Sequence, residues 1–180
     1  RVLGDRVFVG IWLTASCCFA GLFSYISTSS LLLQEAFGLR ETEFGVVFAI
    51  CSIGVFAGVQ LGSRLSAHLG PQKVLIVGTA GMIAAASALL GLDAMRGGHI
   101  PLIPAMFAYT LAFGACNPAA QVLALQNHRA DSGVAASLMG ALNMTLAAVV
   151  GPVIGQFELT SAAPMAIAML CCATAAALCL

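Results

Sequence analysis

The sequence predicts an all-α membrane protein with six transmembrane helices, and three observations carry that prediction. The chain is 61% hydrophobic and only 8% charged over 180 residues, with a mean hydropathy of +1.03. A soluble domain is about half apolar and about a quarter charged. The few charges are also gathered between six apolar windows. Arg6 and Glu35 bracket 28 residues without Asp, Glu, Lys or Arg; Glu43 and Arg64 bracket 20, Lys73 and Asp93 19, Arg96 and Arg129 32, Asp131 and Glu158 26, and 22 more follow Glu158. Each window can hold the roughly 20 apolar residues that cross a bilayer as a helix. Finally, the basic residues favour the loops on one side of the membrane.

The helices are placed near 7–29, 43–64, 73–92, 101–125, 132–156 and 160–180, and residues 1–180 are read as one six-helix unit. The first apolar stretch exceeds the 7–15 residues of a signal-peptide core and lacks its cleavage site. Thr42, Asp131-Ser132 and Thr160-Ser161 are the expected N-caps of the second, fifth and sixth helices. With a cytoplasmic N-terminus, Arg1, Arg6, Arg64, Lys73 and Arg129 lie inside, and only Arg40 and Arg96 lie outside. That distribution follows the positive-inside rule. An even number of spans then returns the C-terminus to the cytoplasm. Because the chain starts at Arg1 and not at Met, it is expected to be a piece of something longer.

Composition excludes several functions. No basic run or aromatic-basic patch suggests nucleic acid. The cysteines at 17, 18, 51, 116, 171, 172 and 179 fall inside the spans without CxxC or Cys/His ligand spacing, so they read as small apolar filler. His68, His99 and His128 sit in loops or at helix ends, so no metal or other cofactor is expected. There is no GxSxG elbow and no Ser/His pair at membrane depth, so the chain is not read as an enzyme.

Small residues recur where helices should meet. Gly54, Gly58 and Gly62 stand at every fourth position of the second helix, and Ser132, Ala136 and Gly140 do so on the fifth. That spacing lets helix backbones approach closely where lipid removes the hydrophobic drive.

No carboxylate or base lies within any span, but polar groups do. On the fourth helix Tyr109, Phe113, Asn117 and Gln121 recur every four residues and share one face. Such a stripe suits the wall of a cavity for an amphipathic organic molecule; interhelical hydrogen bonding and aromatic packing would use the same residues. The first helix carries Phe19, Phe23, Ser24, Tyr25 and Thr28 toward its outer end, and the fifth carries Met139 and Asn143 one turn apart. Methionine and aromatic groups make adaptable apolar contacts. Each alone is ordinary core; together across three helices they are candidate cavity residues.

The tripeptide Asn117-Pro118-Ala119 invites comparison with water channels. Those need two copies on two half-membrane helices, whereas this chain has one copy well inside a full-length span, followed by Ala120 and not Arg. Pro118 is instead expected to kink or loosen the fourth helix and free the carbonyl of Gly114.

Longer segments carry a different resemblance. "FAGLFSYISTSSLLLQEAFGLRETEFGVVFAICSIG" resembles the seventh-to-eighth-helix region of the Bcr/CflA drug–proton antiporters of the major facilitator superfamily. A Tyr-Ile-Ser segment closes one span, then come Gln and Phe-Gly-Leu, and Phe-Gly opens the next helix. "FGACNPAAQVLAL" followed by "ADSGVAASLMGALNM" is similar to the tenth-to-eleventh-helix region. Gly151-Pro152-Val153-Ile154-Gly155 resembles the core of the Gly-Pro antiporter motif, and "LGSRLSAHLGPQKVL" a degenerate copy of the cytoplasmic basic motif.

This resemblance implies the C-terminal six-helix half of a twelve-helix transporter in the bacterial inner membrane. It implies as partners an N-terminal six-helix half, membrane lipid and a small-molecule substrate, with the proton gradient as energy source and the coupling carboxylate in the other half. The two halves would rock about a midplane site. Gly54, Gly58, Gly62, Pro118, Gly151, Pro152 and Gly155 are then expected at packing or hinge positions. The function expected is proton-coupled export of amphipathic drugs. A metabolite transporter of the same superfamily and a self-contained six-helix channel are the alternatives.

Overall fold

In the computed structural model, residues 6–95, 100–126, 132–154 and 161–180 are described. Six α-helices follow one another: α1 (Arg6–Leu31), α2 (Glu41–Leu69), α3 (Pro71–Ala94), α4 (Leu102–Gln126), α5 (Ser132–Ile154) and α6 (Ala163–Leu178). There is no strand among the described residues. The protein is therefore all-α. Five of the helices are long and apolar enough to cross a membrane; α6, with 16 residues, is shorter. At 1.5 Å per residue it reaches about 24 Å, against a hydrocarbon core of about 30 Å. Thr160, expected to begin that span, lies outside the described residues, as do His99, His128 and Asp131.

The helix ends differ from expectation for local reasons. α1 runs past the expected end and closes with a π-turn over Leu32–Ala36, where Phe37 N–H donates to the Leu32 carbonyl at 3.1 Å. The hydroxyls at its end do not break it, because they bond back to its own carbonyls, Thr28 to Ser24 and Ser29 to Ile26. The N-cap of α2 is Arg40 and not Thr42: Glu43 Oε2 accepts the Arg40 N–H at 3.0 Å, and Glu43 Oε1 pairs with the Arg40 guanidinium at 2.8 Å. That carboxylate raises the Arg40 pKa above its ordinary value, although exposure keeps the pair's contribution to stability small. α2 also continues through the expected loop to Leu69. Gly70, at φ +87°, ends it, and Pro71 starts α3 at once. A left-handed glycine after a helix and a proline at the next helix start are the residues that such a corner needs. At the start of α6, Ala162 is the N-cap, and its N–H donates to Asp93 Oδ1 at 2.9 Å, across from the end of α3.

α4 lies at the centre, with its broadest contacts to α2 and α3, while α1 spreads over α4, α5 and α6. Close approach explains the α2–α4 pairing. A Cβ at Gly58 would collide with the Leu111 carbonyl and stand 3.0 Å from Gly114 Cα; one at Gly62 would stand 2.5 Å from the Ala115 carbonyl oxygen; one at Gly54 would stand 2.8 Å from Thr110 Oγ1. All three glycines thus face α4. On α5 the small residues behave otherwise: nothing stands within 4 Å of a Cβ built on Gly140, and Ala136 is exposed. Ala135 and Met139, one residue earlier in each case, take the buried positions against Phe8 and Ala124. The expected small-residue face of α5 therefore looks into open space.

Candidate functional site

That open space is a cavity of about 190 Å³ between α1, α3, α4 and α5. Phe113, Asn117 and Gln121 line it from α4, Met139, Gly140 and Asn143 from α5, and Ala15, Cys18 and Phe19 from α1; Leu75 of α3 is also in the wall. No acidic, basic or histidine side chain is among its lining residues.

Local helix geometry sets the polar groups. Asn117 and Gln121 are one turn apart, and Gln121 Nε2 donates to Asn117 Oδ1 at 2.8 Å. The pair leaves the Asn117 amino group and the Gln121 carbonyl for another partner. Across the cavity, Ser16 Oγ of α1 donates to Asn143 Oδ1 of α5 at 2.8 Å. That bond orients Asn143 and leaves its amino group free of protein partners among the described residues. Phe19 tilts against Phe113 with centroids 6.1 Å apart, so the apolar part of the wall is an aromatic pair shared by two helices. Donors and acceptors on an aromatic surface hold a neutral or amphipathic solute by its polar edge while its body packs against the rings.

The expected site residues divide into two groups. Phe113, Asn117, Gln121, Met139 and Asn143 meet at the cavity. Phe23 stands one turn away, its ring 5.4 Å from that of Phe19. Ser24 and Thr28 are buried and bond to carbonyls of their own helix, Ala20 and Ser24 respectively. Tyr25 is buried and lies parallel to Phe48 of α2 at 6.4 Å. Tyr109 is fully buried, and its hydroxyl, without a hydrogen-bond partner among the described residues, sits over Gly21 of α1. The α4 stripe is thus split. α1 covers Tyr109 at Gly21 and leaves the three residues beyond it facing the cavity. α4 runs as one helix through Pro118, and Gly114, four residues before it, lies where α2 crosses closely. Gly151 and Pro152 lie in the last turn of α5, and Gly155 is outside the described residues.

Sequence reasoning missed Ser16, Cys18, Cys116 and Leu75. A serine on an apolar helix signals nothing by itself; Asn143 gives it meaning, 127 positions away. From sequence the cysteines are apolar filler, and only the fold brings two of them into one wall.

A bundle of long apolar helices around an uncharged cavity is the architecture of a polytopic membrane protein. The chain belongs to the Major Facilitator Superfamily, whose family model matches residues 1–152. It is similar to the uncharacterized MFS-type transporter YdgK of Bacillus subtilis (strain 168), 26% identical over 164 residues, which cover 91% of this chain and 40% of that protein. It is similar also to a bicyclomycin resistance protein homolog of Haemophilus influenzae, 25% identical over 169 residues, with 91% and 41% covered. The chain thus spans about two-fifths of the length of these relatives. No solved structure matches it significantly.

Proposed function

We propose that this chain forms the C-terminal half of a proton-coupled efflux transporter of the Bcr/CflA type, which exports amphipathic small molecules by alternating access. The observation that carries this reading is the uncharged wall of amides and aromatic rings contributed by α1, α4 and α5. Complete small-molecule pockets hold about 300–1,000 Å³. The 190 Å³ found here suits one side of a cavity that a second six-helix half completes. The resistance named for the Haemophilus relative points the same way.

Because the carboxylates of the described spans, Glu35, Glu41, Glu43 and Asp93, stand at helix ends and none lines the cavity, the proton-coupling group is assigned to the other half, with the proton gradient as energy source. The positive-inside count supports a cytoplasmic location for both ends of this segment, and the bacterial relatives favour an inner membrane. A charged solute would need a countercharge in this wall, which favours neutral amphipathic cargo over charged metabolites.

Drug accumulation in cells carrying the full-length transporter tests this. Asn117→Ala and Gln121→Ala are expected to raise accumulation of at least one exported drug while membrane insertion stays intact. Unchanged accumulation across a drug panel for both variants would remove the cavity from the export path.

A further inference from the structure

Most hydroxyls in the described helices bond a carbonyl one turn back in their own helix, as those of Ser24, Ser52, Ser63, Thr79 and Thr145 do. Ser16 differs. It is fully buried on α1, and its hydroxyl donates to Asn143 Oδ1 of α5 at 2.8 Å. A buried hydroxyl needs a partner, and here the partner is the carbonyl of an amide that lines the cavity. On α4 a different bond has the same result, since Gln121 Nε2 donates to Asn117 Oδ1 at 2.8 Å. In both asparagines the acceptor is taken, and the amino group is left without a partner among the described residues. Gln121 is exposed, so water can satisfy its remaining carbonyl, whereas Asn117 and Asn143 are half-buried.

The inner wall is therefore polarised toward donation, and that decides what fits. An ammonium brings only donors, and the two asparagine carbonyls that would solvate it are engaged. An anion would find donors but no countercharge among the lining residues. A purely apolar body would cover both amino groups and leave them unpaired. A neutral solute with a carbonyl oxygen satisfies them. Its aromatic body then packs on Phe19 and Phe113, whose ring centroids lie 6.1 Å apart in the same wall.

We infer that Asn117 and Asn143 are the donors by which this cavity selects uncharged, carbonyl-bearing aromatic solutes, and that Ser16 is the positioning residue that commits Asn143 to donation. The inference rests on the proposed reading of this cavity as the solute site, but its test reads binding and not export. Purified full-length transporter in dodecyl maltoside is titrated with three probes. These are acetophenone, α-methylstyrene, which has C=CH2 in place of C=O in the same shape, and 1-phenylethylammonium. Binding is read by saturation-transfer NMR after subtraction of empty micelles. Acetophenone is expected to bind about tenfold better than α-methylstyrene, the fold-change that one or two neutral hydrogen bonds supply, and better than the ammonium. Asn117→Ala and Asn143→Ala should each reduce that preference. Ser16→Ala should reduce it as Asn143→Ala does, and Ser16→Thr, which keeps the hydroxyl, should restore it. Thr145→Ala, on α5 but outside the cavity lining, should leave it unchanged. Where an alanine variant fails to fold, Asn117→Leu or Asn143→Leu, closer in volume, replaces it. A wild type without the preference overturns the inference, as does one that favours the ammonium. So does a preference that survives loss of either asparagine or of the Ser16 hydroxyl, including variants that weaken all three probes alike. Lost drug export with the preference intact would count against the proposed function alone. An absent preference with Asn117→Ala still impairing export would count against the inference alone.

Discussion

Gly58 of α2 lies against Gly114 of α4 so closely that a Cβ on the first would stand 3.0 Å from the Cα of the second. The relationship is reciprocal, since a Cβ on Gly114 would collide with the Val55 carbonyl and stand 3.1 Å from Gly58 Cα. Two backbones without side chains form the crossing point, and Pro118 frees the Gly114 carbonyl in the same turn.

Overpacking this crossing is expected to be costly. Gly58→Leu and Gly114→Leu should each destabilise the protein by about 1–3 kcal/mol, read as a lower thermal midpoint in detergent. Gly140→Ala is the control. It meets open space, and it should change stability by less than about 0.5 kcal/mol. Equal losses at positions 58 and 140 would mean that α2 and α4 do not meet here.

The Ser16–Asn143 bond ties α1 to α5 across the cavity. A double-mutant cycle with Ser16→Ala and Asn143→Ala should show a coupling of about 0.6 kcal/mol, with about 1.7 as the ceiling seen for such bonds in membranes. Additive effects would show that the two side chains act independently. The single variant Ser16→Ala should also alter drug selectivity, because it releases the amide that the hydroxyl orients.

Tyr109 carries a buried hydroxyl with no partner among the described residues. Removing it should help. Tyr109→Phe is expected to stabilise by about 1 kcal/mol, the low end of the cost of an unsatisfied buried polar group. Gly21→Ala should destabilise, since its Cβ would collide with that hydroxyl, and Tyr109→Phe should relieve part of the loss. A Tyr109→Phe variant that melts lower than wild type would show that the hydroxyl has a partner after all.

Tyr25 and Asn117 should separate packing from solute recognition. Tyr25 of α1 is buried against Phe48 of α2. Tyr25→Ala therefore impairs export together with stability, by about 3–5 kcal/mol if the cavity left behind does not collapse, while Tyr25→Phe keeps the ring and most of the export. Asn117→Ala should impair export with little change in melting, because the Asn117–Gln121 bond is solvent-facing. Export assays run beside thermal melts distinguish the two; a stable but inactive Tyr25→Phe would move Tyr25 into the solute path.

The sequence alone determined that this is an all-α membrane protein, because the bilayer demands long uncharged runs and charges at their ends. It also determined which residues could pack closely, since glycine repeats on α2 are a one-dimensional pattern on one helix face. The same logic brought Phe113, Asn117, Gln121, Met139 and Asn143 forward, because polar and aromatic groups in apolar runs stand out without any fold. The tertiary structure alone decided their grouping. Helix periodicity gives a face but not what covers it, so Tyr109 and Gln121 share a stripe while one is sealed under Gly21 and the other lines a cavity. Contacts between distant positions were equally out of reach. Ser16 needs Asn143 and Ala162 needs Asp93, and each pair exists only where two helices that are remote in the chain are packed side by side.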